Sequence, residues 1–412
     1  MIRILDHAAA PRFLLRREAS LAQAESVVRP IIDQVAQRGD AALREFARDF
    51  DKFTGVSFLA TAQELSSAAD RVSAAFRCAV EQASGNIREY AARQVPLEQW
   101  FDVRPGIRAG QIVRPLDRVA AYIPSGRYPL PSTVMMTAIP ARCAGVPDIF
   151  ISSPRAVDEI DATAHLLGLS QVFRLGGAHA IAAFAFGTES VPKVDRIVGP
   201  GNIYVAAAKK MLAGQVAIDF VAGPTEILII ADETDARYLA ADMLAQAEHD
   251  VDAAAILLTT SKELASAVAE EIERQLAGLS TAEVARVAID RNSAIIRVRS
   301  QAEAIDIANR FAPEHLSIED ASLLPQIRNA GSVFIGAFSP EAAGDYASGP
   351  NHVLPTSGHA RMRAGLSAAD FVKVISVQQL TAEGLAGIAP AVTTLARAEG
   401  LEAHARSVEA RL

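Results

Sequence analysis

Four short runs of this 412-residue chain place titratable or metal-binding side chains beside turn residues in otherwise apolar surroundings. The first is Gln246-Ala247-Glu248-His249-Asp250, at the end of an expected helix. Positions three apart share a helix face, so Gln246 and His249 can point at one spot. The second, Ala312-Pro313-Glu314-His315-Leu316, sets a carboxyl next to an imidazole behind a proline, the makings of a general acid/base pair. The third, GDYASGPNHVLPTSG from Gly344 to Gly358, has the glycines and prolines of an ordered loop and carries Asp345, Asn351 and His352. The fourth, EGLEAH from Glu399 to His404, lies near the carboxyl end. Each run also has a plainer explanation. A polar helix end is often only solvated, Glu314 suits a helix N-terminus, a polar loop can be purely structural, and a histidine on a terminal helix is usually a surface residue.

Of the eight histidines, His249, His315, His352 and His404 fall in these runs. Two or more imidazoles with a carboxylate and an amide oxygen fit a borderline metal such as zinc rather than calcium. Spacing alone does not bring the residues together. Nucleotide signals are indirect. No G-x-G-x-x-G follows an expected strand, but LGGAHA (Leu175 to Ala180, with His179) and GPGN (Gly199 to Asn202) each fall between a strand and a helix. Such glycines can admit a phosphate and equally make tight turns.

The elements that must position these groups follow from periodicity. From Ser20 to about Gln94 apolar residues recur three and four apart, as in Val27, Val28, Ile31, Ile32 and Val35, which predicts helices. The character changes near Val113. Strands are expected at Arg118–Ile123, Asp148–Ser152, Gln171–Leu175 and Arg196–Val198, with helices between them. The alternation resumes after Gly223 with strands at Glu226–Ala231 and Ala255–Thr259 around a helix at Asp235–Ala247. This is the pattern of βαβ units and parallel sheets, so the fold class is α/β with two lobes, the second over roughly 224–365. After Asp370 the chain reads as helical, with a loop and short helix at Leu380–Gly387 and a last amphipathic helix from about Pro390 to Leu412 that could pack on a partner chain.

Composition narrows the function classes. With 40 Lys and Arg against 48 Asp and Glu, the formal charge of -8 lacks the basic footprint of a nucleic-acid binder. Two cysteines, Cys78 and Cys143, are too few for a disulfide framework, and no CxxC pair is present. The first twenty residues hold no continuous apolar core, and no apolar run nears the roughly 18 residues of a membrane helix. A cytoplasmic protein is expected.

Taken together, the motifs resemble the histidinol dehydrogenase family from about residue 20 to the end. IDFVAGPTE and QAEHD, at the two ends of Ile218–Asp250, are the most specific matches. GTESVPKVD, GPGN, APEH and GPNHVLP follow in the family's order. The resemblance implies two Rossmann-like lobes with parallel sheets, helical N- and C-terminal segments and an intertwined homodimer. It divides the chain into an N-terminal segment (1–15), a catalytic and metal domain (16–118 with 224–367), an NAD-binding domain (119–223) and a C-terminal dimerisation segment (368–412). Gln246, His249, Asp345 and His404 match the family's zinc ligands, His404 being supplied by the other subunit. Glu314 and His315 match its catalytic pair. Thr225, His352 and Glu399 match positions that contact L-histidinol beside the metal ligands and His315, and Tyr122, His179 and Asn202 match positions that contact NAD.

The implied reaction is a zinc-dependent, NAD-linked four-electron oxidation of L-histidinol through the aldehyde to L-histidine, with His315 as general base and Glu314 activating water. Two positions depart from the family pattern. His179 stands where glutamine is usual, and Ser125 replaces a frequent glycine after Tyr122, so either could reshape NAD binding. Three alternatives stay open: a paralogue oxidising another small alcohol, a zinc hydrolase with Glu314 activating metal-bound water, and a binding protein without turnover. Glu399 suits a cationic amino alcohol better than an anionic sulfonate, which favours histidinol.

Overall fold

The computed structural model describes residues 1–14, 21–126, 128–221 and 223–412. Ser20, where the helical stretch was expected to begin, and Ala222 of the IDFVAGPTE motif lie outside them. Strands are numbered along the chain: β1 (Arg3–Asp6), β2 (Gln99–Arg104), β3 (Ile107–Pro115), β4 (Arg118–Tyr122), β5 (Asp148–Ser152), β6 (Val172–Phe173), β7 (Arg196–Val198), β8 (Ala217–Ile218), β9 (Glu226–Ile230), β10 (Ala254–Thr259), β11 (Ala294–Arg297), β12 (His315–Ile318), β13 (Ser332–Ile335) and β14 (Val372–Leu380).

Two parallel sheets organise the chain, each at the centre of one α/β lobe. The five-stranded sheet has the order β6-β5-β4-β7-β8 and the six-stranded sheet β1-β11-β10-β9-β12-β13. Strands such as Glu226–Ile230, buried at every residue and apolar from Ile227 on, read as runs rather than alternations because helices cover both faces. In each sheet the order reverses once, between β4 and β7 and between β9 and β12. Such reversals open a crevice beside the strand ends.

The helices Leu21–Arg38, Asp40–Phe46 and Ala74–Ala92 do not pack where the expected division of 16–118 with 224–367 would put them. Val28, Ile32 and Val35 share a core with Ile181, Val205 and Leu212, and Val80 and Ile87 share one with Val119, Ile139 and Ile151. These helices therefore cover the five-stranded sheet. The amino-terminal segment instead contributes β1, paired in register with β11 at the edge of the six-stranded sheet.

The largest departure from expectation is a third sheet, antiparallel, in the order β14-β3-β2. The stretch after Asp370, read as helical, is a nine-residue strand paired along its whole length with β3. The β2–β3 hairpin was not expected either. Both were missed for one reason: the sheet is largely exposed, so apolar residues do not alternate cleanly with polar ones, and Trp100, Phe101, Val103, Val374 and Ile375 all face solvent. Beyond β14, Thr381 caps a helix from Ala382 to Ala398 by accepting from Gly384 N–H at 3.1 Å, and Pro390 lies inside that helix rather than opening the next. Gly400, at φ 77°, ends it, and a last helix runs over Glu402–Glu409. Among the described residues no helix is long and apolar enough to cross a membrane.

One glycine of the GPGN turn is held by close backbone approach. Gly199 has φ 106°, and a β-carbon there would come within 2.2 Å of the Tyr122 carbonyl oxygen. Gly199→Ala must therefore move either β4 or the turn, at a cost on the order of 2 kcal/mol. Urea unfolding is expected to show that loss, and a midpoint equal to wild type would mean that the turn relaxes freely.

Candidate active site

The chemistry-bearing residues gather at the N-terminal edge of the six-stranded sheet, beside its reversal point. Thr225 immediately precedes β9, and His315 opens the neighbouring strand β12, where it lies in register with Ile227. Helix Ala236–Ala247 runs back toward that edge, so its last turn brings Gln246 and then His249 to the same place. Opposite stands the six-residue helix Glu341–Tyr346, followed by the loop that holds His352. Gly344 lets this helix lie on Phe334, whose ring is 5.9 Å from the imidazole of His315.

Glu314 is buried, with Oε2 2.6 Å from Thr225 Oγ1 and accepting from the Glu226 backbone N–H at 2.9 Å. Burial holds its carboxyl well above the ordinary carboxylate range, because the two hydrogen bonds offset only part of the lost hydration. His315 is also buried, and burial pushes its imidazole down to about 3, so the ring is neutral. Nδ1 lies 3.2 Å from the Glu226 carbonyl oxygen, an acceptor only, which assigns the ring proton to Nδ1. That leaves a lone pair on Nε2, which has no hydrogen-bond partner and faces Asp345 Oδ1 at 3.7 Å. A neutral imidazole with a free, buried Nε2 can accept a proton.

Asp345 and His249 adjoin this base, with His249 Nε2 3.8 Å from Asp345 Oδ2. His352 donates from Nδ1 to the Asp345 carbonyl oxygen at 2.7 Å and has Nε2 3.3 Å from Thr133 Oγ1. Burial lowers His352 to about 4 and lowers His249, so both offer neutral nitrogens, and burial raises Asp345 to about 7. Thr225, His249, Glu314, His315, Asp345 and His352 line one cavity of about 190 Å³. Its far wall includes Leu130, Thr133 and Gly201 of the five-stranded lobe, so it lies between the two lobes. A larger hollow of about 710 Å³, bounded by Arg3, Arg12, Arg291 and Phe311, opens on the other side of Thr225 but holds neither the base nor the carboxylates and imidazoles that could bind a metal.

The donor set suits a metal. Ligand atoms of His249, Glu341 and Asp345 all lie within 4.8 Å of one another. Gln246, fully buried, stands against the same group, its amide 2.8 Å from Thr225 Oγ1 at one end and 2.8 Å from Glu341 Oε1 at the other. Two of the expected residues are not there. His404, on Glu402–Glu409, and Glu399, at the end of Ala382–Ala398, are exposed and line no part of the cavity. The structure also adds Glu341, which sequence reasoning missed. Its spacing of four from Asp345 was the available clue, since residues four apart share a helix face.

The residues expected to meet a dinucleotide share the C-terminal edge of the five-stranded sheet. Tyr122 ends β4, its hydroxyl accepting from Gly177 N–H at 3.1 Å and pushed up to about 12 by burial. Asn202 caps helix Ile203–Leu212, its Oδ1 accepting from Tyr204 and Val205 N–H at 3.0 and 3.1 Å. His179 is buried between Phe46 and Phe50, with Nε2 2.8 Å from Asp51 Oδ2. That aspartate also accepts from Gly176 N–H at 2.9 Å, so the unusual histidine is tied to the glycine turn. Ser125, the other departure, is buried and its hydroxyl has no hydrogen-bond partner.

The chain as a whole is similar to known proteins. A family model described as histidinol dehydrogenase matches residues 14–412. The chain is 47% identical over 394 residues to a histidinol dehydrogenase of Methanothermobacter thermautotrophicus, covering 93% of this chain and 92% of the relative. It is 45% identical over 395 residues to one of Vibrio parahaemolyticus, covering 94% and 91%. Among solved structures, the histidinol dehydrogenase of Elizabethkingia anophelis superposes with a TM-score of 0.95 at 35% identity, covering 100% of this chain and 98% of that one.

Proposed function

The chain belongs to the histidinol dehydrogenase family, an oxidoreductase of histidine biosynthesis, and from that premise we propose that it oxidises L-histidinol through the aldehyde to L-histidine with two NAD. The observation that carries the reading is the neutral, buried His315 with Nε2 free toward the cavity beside Asp345 and His249. In the proposed centre Gln246, His249 and Asp345, with the partner subunit's His404, hold zinc, which supplies a fixed cation that orients the substrate's amine and imidazole. NAD, seated by Tyr122, His179 and Asn202, supplies the hydride acceptor for each oxidation.

The protein's own groups handle the protons. Nε2 of His315 takes the alcohol proton as the carbon-bound hydrogen leaves as hydride, giving the aldehyde. Glu314, assisted by His315, then takes a proton from water as the water oxygen attacks the aldehyde carbon. The aldehyde oxygen takes back the proton held by His315, giving the hydrate. Its carbon-bound hydrogen then leaves as hydride to the second NAD while His315 Nε2 takes a hydroxyl proton. The acid formed loses its last proton to give the carboxylate. Burial that raises the Glu314 carboxyl suits a group that must accept and release a proton near neutral pH. Thr225 and His352 contact the substrate from the cavity wall, and Glu399 joins them in the assembled dimer.

Dimerisation is part of the same reading. Three observations support it: the side chain of His249 is 43% exposed, His404 and Glu399 are exposed and do not line the cavity of their own chain, and the antiparallel sheet displays exposed apolar residues. The test of function is stoichiometric. Zinc-loaded protein given L-histidinol should form two NADH per histidinol consumed, with histidine as product. One NADH with a released aldehyde or ketone would replace this reading with oxidation of a different alcohol, and turnover without NAD would replace it with hydrolysis.

A further inference from the structure

Glu341 is a buried carboxylate for which the proposed mechanism has no use. It opens the helix Glu341–Tyr346, four residues before Asp345, so both acids project from one face. They bracket the imidazole of His315, with Glu341 Oε1 3.5 Å from Nδ1 and Asp345 Oδ1 3.7 Å from Nε2. The nearest partner of Glu341 is the amide of Gln246, whose nitrogen meets its two oxygens at 2.8 and 3.1 Å.

The two ends of a glutamine amide have nearly the same shape, so which end faces which way is decided by its partners. At one end Gln246 meets the Thr225 hydroxyl, 2.8 Å away, which can donate to an amide oxygen only while its single proton is not given to Glu314 Oε2, 2.6 Å from it. At the other end it meets the Glu341 carboxylate, which can only accept when ionised. With its nitrogen on Glu341, the amide also stands 3.2 Å from His315 Nδ1, whose own proton is directed to the Glu226 carbonyl oxygen. An ionised Glu341 therefore favours the amide nitrogen on its side. With the nitrogen on Glu341, the amide oxygen lies on the side of Thr225, a residue of the cavity wall.

We propose that Glu341 is a positioning residue for the metal centre, binding the amide nitrogen of Gln246 and so turning the amide oxygen toward the cavity. This rests on the reading of Gln246 as a zinc ligand. A carboxylate that fixes a ligand from behind works by hydrogen bonding, whereas a direct ligand works by its own bond to the metal, and the two roles respond differently to substitution.

The experiment measures zinc affinity of the metal-free, full-length protein by competition with a chromogenic chelator. The variants are Glu341→Met, Glu341→Gln, Gln246→Ala and the Glu341→Met/Gln246→Ala pair. Circular dichroism of each metal-free variant checks the fold, and Glu341→Gln, nearly isosteric, carries the test should Glu341→Met not fold. Glu341→Met should weaken zinc binding by about 10–100-fold. Glu341→Gln, whose amide oxygen still accepts from Gln246, should retain most of the affinity. In the Gln246→Ala background, where no amide remains to be oriented, Glu341→Met should cause no further loss. Wild-type affinity in Glu341→Met, equal damage from Glu341→Gln, or the same loss with Gln246 absent would each overturn the proposal. Wild-type affinity in Gln246→Ala would instead remove Gln246 from the ligand set, and the proposal would fall with that reading.

Discussion

His315→Asn lowers the rate of NADH formation from L-histidinol by about 100- to 10,000-fold, the range lost when a positioned general base is removed. Asparagine keeps a donor near the position of Nδ1, so the contact with the Glu226 carbonyl oxygen can survive while the basic nitrogen is lost. The imidazole lies at the start of β12, fixed by register with β9, so the substitution should leave the sheet intact. The loss should fall on kcat, with KM for histidinol changed far less, because the lone pair on Nε2 matters most as the proton moves. Steady-state kinetics of the zinc-loaded enzyme decide this. A loss of less than tenfold would remove His315 as the base. A large rise in KM at unchanged kcat would make it a binding group only.

His404→Ala abolishes zinc-supported turnover while leaving the fold of its own chain unchanged, because that side chain is exposed on the last helix and does not line the cavity of its own chain. Mixing makes the prediction stronger. A chain carrying His404→Ala keeps Glu314 and His315, and a chain carrying Glu314→Gln with His315→Asn keeps His404. In a hybrid dimer one site then has every group intact and the other has both lesions. Random re-equilibration makes half the dimers hybrid with one working site of two, so about a quarter of wild-type activity should return. Activity assays on mixtures, with each variant alone as control, measure it. No recovery from fully exchanged dimers would mean that each site is built from a single chain.

The two parallel sheets were legible because strands covered on both faces are near-continuous apolar runs, as in Ile227–Ile230, and because helices of clear period separate them. The antiparallel sheet was not, since Val372–Leu380 is mostly exposed and its β-branched residues answer no buried face. At the candidate site, Glu314 and His315 stood out as neighbours, as did Gln246 and His249 at helical spacing. Their convergence with Asp345 depends on which strand lies beside which, and no local pattern carries that. Glu341 is a single letter in a six-residue helix, and its role arises only where that helix meets Gln246. The helices from Leu21 to Ala92 read correctly as helices, but periodicity names the buried face of a helix and not the sheet that buries it.

The place of β1 bears on how the chain is made. Arg3–Asp6 leaves the ribosome long before Ala294–Arg297, its strand partner among the described residues. At about 5–20 residues per second, tens of seconds separate the synthesis of the two. Throughout that interval the amino terminus has no sheet to join, and the edge of β11 stays open until it arrives. The six-stranded lobe is therefore completed late, by an early-made strand closing onto much younger ones, and a slow, concentration-sensitive step in its refolding is expected at that edge.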